Sequence, residues 1–275
     1  MTTLAILWDP SQGIDFGFYT LRFYSMMWFA AFICGIWIMA KVGRRDGISD
    51  EQLTSMLFYV FFGTLIGARL GHCIFYEWSY YKDHLLEMIL PFQFSPFRLT
   101  GYEGLASHGG AVGIVVAMVL FARHIKKPFL WVMDRLCMAV AAGGVFIRIG
   151  NFFNSEIIGK PTDSSYGVIF KRLGEDFPRH PAQLYEAAGY AILFFVLWAL
   201  YKKGYGQKTG FLFGLFLIVL FSIRFVVEFL KENQEAFEDS LPLNMGQLLS
   251  LPFILAGIAV LWYSLKKRTT NIKNK

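Results

Sequence analysis

The sequence predicts an all-α membrane protein: a seven-span helical bundle with its N-terminus outside, its C-terminus in the cytoplasm, and an external polar segment between spans four and five. Three observations predict it. Of the 275 residues, 55% are hydrophobic and only 17% charged, where a soluble domain carries about 25%. Several apolar runs approach the roughly 20 residues that a helix needs to cross a hydrocarbon core. Lysine and arginine alternate between rich and poor connections along the chain.

The spans fall at about 18–40, 53–78, 108–124, 131–153, 183–201, 210–230 and 246–265, within a single integral-membrane domain covering 1–275. Helices are expected because a helix satisfies its own backbone hydrogen bonds in lipid. The third and fifth spans are short, and the fourth carries Asp134 and Arg135 near its start. Snorkelling to the inner interface accounts for Arg135. Orientation follows from the connections. Lys41, Arg44 and Arg45 follow span one, Arg123, Lys126 and Lys127 span three, Lys202, Lys203 and Lys208 span five, and a basic tail span seven. These outnumber the cations of the opposite connections, among them Lys82, Arg98, Lys160 and Lys231. The connection after span six is acidic, with Glu232, Glu235, Glu238 and Asp239. The net charge of +6 is thus a membrane-orientation signal, and no nucleic-acid partner is expected.

Two external segments are long: about 79–107, rich in aromatics with Pro91 and Pro96, and about 154–182, polar and punctuated by Gly and Pro. Loops of this length are commonly functional. Cys34, Cys73 and Cys137 are odd in number, form no CxxC pair and lie in apolar runs, which fits small buried hydrophobes. The N-terminal stretch MTTLAILWDPSQG has no basic n-region, so no removable signal peptide is expected.

Charge within a bilayer is costly and points to a site by default. Arg69, Arg148 and Arg224 lie on three spans that all run outward; Arg69 is about 24 Å along its span and Arg224 about 21 Å. Spans running inward open with polar groups at that depth: Arg22 and Tyr24, then His108, Gly109 and Gly110, then Gln183, Tyr185 and Glu186. The polar outer halves and bland inner halves predict a site reached from outside. Arginine matches phosphate bidentately, a helix N-terminus favours an anion, and Gly109 with Gly110 would let a ligand approach that backbone. An anionic lipid headgroup is the expected ligand. Glu228, four residues after Arg224, either neutralises it or orients it. Tyr76 and Glu77 offer local partners for Arg69. Arg148, Asn151, Asn154 and Glu156, closed by Gly159, have the character of a built pocket wall.

The stretch GxxxRxGNFxNxExxG, here Gly144, Arg148, Gly150, Asn151, Phe152, Asn154, Glu156 and Gly159, resembles the signature of bacterial prolipoprotein diacylglyceryl transferases. SHGGAVG at 107–113, RHPAQLYE at 179–186, RFVVEF at 224–229 and MGQLLSLP at 245–252 agree in order. The resemblance implies transfer of the diacylglyceryl group of phosphatidylglycerol to the thiol of a lipobox cysteine in a prolipoprotein, forming a thioether and releasing glycerol phosphate. It implies a multi-pass protein of the bacterial cytoplasmic (inner) membrane with its site toward the outer leaflet. Arg148 and Arg224 would hold the phosphate, and Asn151, Asn154 and Glu156 would shape the headgroup pocket. His108 would take the thiol proton, and Tyr24 would stand near the outer end of span one. No cofactor and no metal are expected. The chain departs from the family pattern at Arg22, where a histidine is usual, and at Leu220, where a tyrosine is usual. A transporter or flippase for an anionic lipid is the alternative, and a receptor-like scaffold with structural ion pairs a third reading. A transporter should carry polar groups through both leaflets and related halves.

Overall fold

A computed structural model describes residues 5–18, 20–94, 97–99, 101, 104–233 and 242–273. Pro96, Glu235, Glu238 and Asp239 lie outside the described residues. In chain order the elements are strands β1 (Ile6–Trp8), β2 (Gly13–Asp15) and β3 (Thr20–Arg22), helices α1 (Phe23–Arg45), α2 (Asp50–Phe75) and α3 (Trp78–Tyr81), and strands β4 (Phe92–Phe94) and β5 (Phe97–Leu99). Helices α4 (Ser107–His124) and α5 (Phe129–Phe153), strand β6 (Val168–Phe170), and helices α6 (Ala182–Lys202), α7 (Phe211–Glu228) and α8 (Met245–Lys273) follow. Six helices, α1, α2, α5, α6, α7 and α8, are long and apolar enough to cross a membrane, while the apolar stretch His108–His124 of α4 falls short of that length. Against the all-α expectation, the described residues also hold three two-stranded ladders: β1 with β6 in parallel, β2 with β3 and β4 with β5 antiparallel. Large apolar side chains such as Phe29, Phe58, Phe195 and Leu255 are exposed on the long helices. That pattern suits a surface bathed in lipid.

The chain divides into two compact units, one of Met1–Lys41 with Met133–Lys275, the other Val42–Val132. In the Val42–Val132 unit, α2 starts with a reciprocal capping box: the Ser49 hydroxyl accepts from the Gln52 N–H, and Gln52 Oε1 accepts from the Ser49 N–H, both at 3.2 Å. Helices α2 and α4 meet through glycines. A Cβ on Gly67 would sit 2.5 Å from the Gly109 carbonyl oxygen, one on Gly63 2.6 Å from Ala117 Cβ, and one on Gly113 2.0 Å from the Gly63 carbonyl oxygen. Small residues spaced by four let helix backbones approach closely in lipid. Gly67→Ala is therefore expected to lower stability by roughly 1–3 kcal/mol through overpacking, read as a lower midpoint of thermal unfolding in detergent.

Arg69 is buried on α2 and donates to Tyr81 Oη at 3.0 Å and to the Glu87 carbonyl at 2.9 Å. Its role is structural as expected, but these partners come from beyond Tyr76 and Glu77. In the other unit, Asp134 of α5 is buried and caps α7, accepting from the Gly210 N–H at 2.6 Å and the Phe213 N–H at 2.8 Å. Arg135 is also buried, so snorkelling does not describe this pair; Asp134 satisfies orphan donors of a neighbouring helix start. Trp8 of β1 donates its indole N–H to the Phe152 carbonyl at 3.1 Å and packs on the Phe152 ring at 4.2 Å. The extended N-terminal strand thereby clamps the end of α5, where the polar cluster begins.

Candidate active site

Arg148 and Asn151 lie one turn apart near the end of α5, and Arg148 Nη1 donates to Asn151 Oδ1 at 3.2 Å. After Phe153 the chain turns sharply. Ser155 and Ile157 both have φ of 56°, a left-handed conformation that costs a non-glycine residue about 1 kcal/mol or more and tends to cluster at functional sites. The turn swings Glu156 back over the helix end. Its carboxylate accepts from Asn154 Nδ2 at 2.9 Å and Asn151 Nδ2 at 3.4 Å. Gln183 Nε2 of α6 donates to the Glu156 carbonyl at 2.6 Å, and the Oε1 of this fully buried side chain has no hydrogen-bond partner among the described residues.

A chain of alternating charge extends from the cluster. Arg148 Nε pairs with Glu186 Oε2 at 2.7 Å, and Lys231 Nζ contacts Glu186 Oε1 at 3.1 Å and Glu228 Oε1 at 2.8 Å. Arg224 Nη2 closes the sequence 3.9 Å from Glu228 Oε1. Glu186 is fully buried and Lys231 nearly so. The Arg148–Glu186 contact is an ion pair without hydrogen-bond alignment: among the described residues Glu186 Oε2 has no hydrogen-bonding partner. The chain ends in guanidinium groups. Arg224 is the more open of the two, about a third exposed. The buried Tyr190 hydroxyl lies within electrostatic reach of both arginines. Removing charges from water is repaid only when each is paired and hydrogen-bonded; alternation pairs each carboxylate with cations, and Lys231 hydrogen-bonds one oxygen of each.

Glycines make the room. A Cβ on Gly144 would sit 3.0 Å from the Tyr190 ring, and one on Gly150 3.0 Å from the Tyr24 ring. Tyr24 therefore rests on α5 beside Asn151. A Cβ on Gly246 would strike Glu228 Cδ at 2.4 Å. The start of α8 is built around Glu228: Asn244 Nδ2 donates to Glu228 Oε2 at 3.3 Å, while Asn244 and Gln247 cap each other reciprocally at 2.9 and 3.2 Å.

Gly159 sits where three segments are stitched. Its N–H donates to the His180 carbonyl at 3.0 Å, its carbonyl accepts from Arg179 Nη1 at 3.2 Å, and it bridges to Lys231. A Cβ there would lie 2.4 Å from the His180 oxygen. Its requirement for glycine is thus explained by backbone packing that holds Glu156 and Lys231 in place. Arg179 clips the same junction through Glu175, at 2.7 Å, and Glu232; the Glu175 carboxylate, aided by Glu232, raises the Arg179 pKa further above its ordinary value. Gly159→Ala is expected to cost roughly 1–3 kcal/mol and to reduce activity with it, checked by thermal unfolding and turnover on one preparation.

Among the expected site residues, Tyr24, Arg148, Asn151, Asn154, Glu156, Gly159, Arg224 and Glu228 all belong to the unit containing α5 to α8. His108, Gly109 and Gly110 belong to the Val42–Val132 unit. His108 is exposed at the start of α4, 5.5 Å from the Phe75 ring and 5.7 Å from the Tyr76 ring. What Gly109 admits closely is the backbone of α2, where its Cβ would lie 2.3 Å from the Gly67 carbonyl oxygen. Sequence reasoning passed over Lys231, Asn244 and Gly246, and noted Glu186 without assigning it a role. A glutamate inside an apolar run was the available signal for Glu186. Among the described residues, no group of three or more His, Cys, Asp or Glu side chains converges to hold a metal ion.

The family model for prolipoprotein diacylglyceryl transferase matches residues 12–263. The phosphatidylglycerol–prolipoprotein diacylglyceryl transferase of Bacteroides fragilis is 45% identical over 273 residues, covering 97% of this chain and 98% of that protein. Proteins of the same description from Tolumonas auensis and Chloroherpeton thalassium are 43% and 39% identical, the first covering 93% of this chain and 95% of its own length, the second 97% of each. The chain belongs to the prolipoprotein diacylglyceryl transferase family.

Proposed function

We propose that this protein transfers the diacylglyceryl group of phosphatidylglycerol to the lipobox cysteine thiol of prolipoproteins. The thiolate attacks the glycerol carbon that carries the phosphate, a C–S bond forms, the C–O bond breaks, and glycerol phosphate leaves with the electron pair. The observation that carries this reading is the alternating chain from Arg148 to Arg224. Two guanidinium groups at its ends suit a phosphodiester that gains charge as it departs. Asn151, Asn154 and Glu156 shape the headgroup pocket, with Tyr24 against the same end of α5. Glu228 orients Arg224.

In this reading α4 is a seventh, shorter span, the N-terminus is outside, and the site opens to the outer leaflet of the bacterial inner membrane. The cation-rich connections on the other side support that orientation. His108 is the candidate to take the thiol proton, since the thiolate is the nucleophile. His108→Gln tests that role: a base predicts a fall in kcat of about 10²-fold, and near-normal kcat removes it. The function itself is tested by incubating the purified protein with phosphatidylglycerol and a lipobox peptide. A peptide heavier by one diacylglyceryl group is expected, with none when the cysteine is serine. A folded protein that moves lipid between leaflets and leaves the peptide unmodified would support the transporter alternative.

A further inference from the structure

The segment after α2 carries a cleft lined by none of the residues proposed for the reaction. After Phe75 the helix ends, but the chain stays packed against it. Cys73 of α2 forms a buried cluster with Tyr81 and Met88, and Arg69 bonds the same stretch. Arg69 lies six residues before Phe75, about 9 Å along the helix. Residues 81–88 therefore sit alongside the last turns of a membrane helix, at the depth of one leaflet. Hairpin β4–β5 is inverted relative to a water-facing one. Gln93 and Arg98 are direct cross-strand partners on one face, and Phe94 pairs with Phe97 on the other. Phe94, Phe97 and Leu99 are exposed, while Gln93 Nε2 donates inward to Tyr80 Oη at 3.2 Å. Tyr80 in turn donates to Glu87 at 2.7 Å.

The polar face closes a cleft of about 490 Å³, lined by Arg98, His72, Glu77, Tyr80 and Gln93 among others. Glu87 is spent: the Phe94 N–H holds one oxygen at 2.9 Å and Tyr80 the other. Among the described residues no hydrogen bond or ion pair engages the exposed Arg98 guanidinium. Glu77 is half-exposed, and among the described residues its side chain makes one ion-pair contact, with His72 at 3.4 Å. The cleft thus offers an open cation beside a partly open carboxylate, with an apolar rim. We propose that this cleft seats the headgroup of a membrane phospholipid. Its phosphodiester is held by Arg98, its ammonium or hydroxyl tail reaches Glu77, and its acyl chains lie on the outward faces of Phe94, Phe97 and Leu99.

The test is native mass spectrometry of the full chain in detergent, in an Arg148→Ala background, titrated with short-chain phosphatidylethanolamine, short-chain phosphatidylglycerol or free glycerol phosphate. One lipid adduct is expected, weakened about tenfold or more by Arg98→Gln, the loss of one charge-assisted hydrogen-bonding partner, and unchanged by Lys82→Gln. Weakening by Glu77→Gln for phosphatidylethanolamine alone identifies the ammonium as the tail; weakening for both lipids identifies the hydroxyl reading as well. Equal affinity for free glycerol phosphate would overturn the lipid source, and an unchanged adduct in Arg98→Gln would overturn the site. A spin label at Phe97→Cys in liposomes should be reached by oxygen rather than by a water-soluble nickel chelate; the reverse would also overturn it.

Discussion

Arg148→Ala is expected to lower kcat by about 10²–10³-fold, the loss that follows removal of one preorganised donor from developing negative charge. The guanidinium touches Asn151 at 3.2 Å and Glu186 at 2.7 Å and reaches the Tyr190 hydroxyl as well. Its removal takes one end from the charge chain and one strut from the pocket wall. Glu186 keeps Lys231 at 3.1 Å, so the buried carboxylate is not left alone and the protein should still fold. Arg148→Lys separates charge from shape. A lysine restores the charge but cannot bond Asn151 and phosphate in one plane, so most of the loss should persist. Initial rates of peptide lipidation at saturating phosphatidylglycerol, with unfolding midpoints alongside, check both variants. Full recovery in Arg148→Lys would mean that charge alone is needed.

Lys231→Met is expected to destabilise the protein by about 3–5 kcal/mol, the cost of breaking a buried ion pair by removing one partner. Lys231 is the only bridge among the described residues between Glu186 and Glu228, and Met leaves both carboxylates facing each other without the ammonium. Activity should fall as well, since each carboxylate aligns one arginine. Lys231→Arg should restore both properties in large part. Adding Glu186→Gln to Lys231→Met removes the repulsion between the two carboxylates but takes the partner from Arg148, so stability should recover in part and kcat should not. Denaturation in detergent and a separation of KM from kcat distinguish this positioning role from a purely structural one. Recovery of kcat in the Glu186→Gln, Lys231→Met double variant would contradict it.

The wall itself was legible in sequence. Arg148, Asn151, Asn154 and Glu156 are close enough along one helix end that local geometry brings them together. Arg224 with Glu228 follows from helical spacing. Lys231 was not legible. In one dimension it is a loop cation beyond a span; only the pairing of residues 158–160 with 230–232 folds it inward. Asn244 and Gly246 were hidden for a similar reason, since their target Glu228 lies on another helix.

The fold was legible as apolar runs, and six helices of spanning length bear this out. The glycines of α2 at 63, 67 and 71 were readable as a helix-packing ridge, yet Gly109 and Gly110 drew attention as a ligand approach. Composition identifies glycine; what comes close to it depends on the opposing helix. Asp134 shows the same limit, being read beside Arg135 when its oxygens cap α7. The short ladders escaped notice because three-residue strands carry too little alternation to stand out in an aromatic-rich chain.

The most direct measurement follows both products of one reaction. Purified protein in lipid nanodiscs containing phosphatidylglycerol is given a lipobox peptide, and diacylglyceryl peptide and free glycerol phosphate are quantified together at early times. The account predicts that they appear in equal amounts at the same rate, that both vanish with a serine peptide, and that both fall together in Arg148→Ala. Glycerol phosphate released without peptide modification, or no product from protein whose unfolding transition is intact, would contradict it.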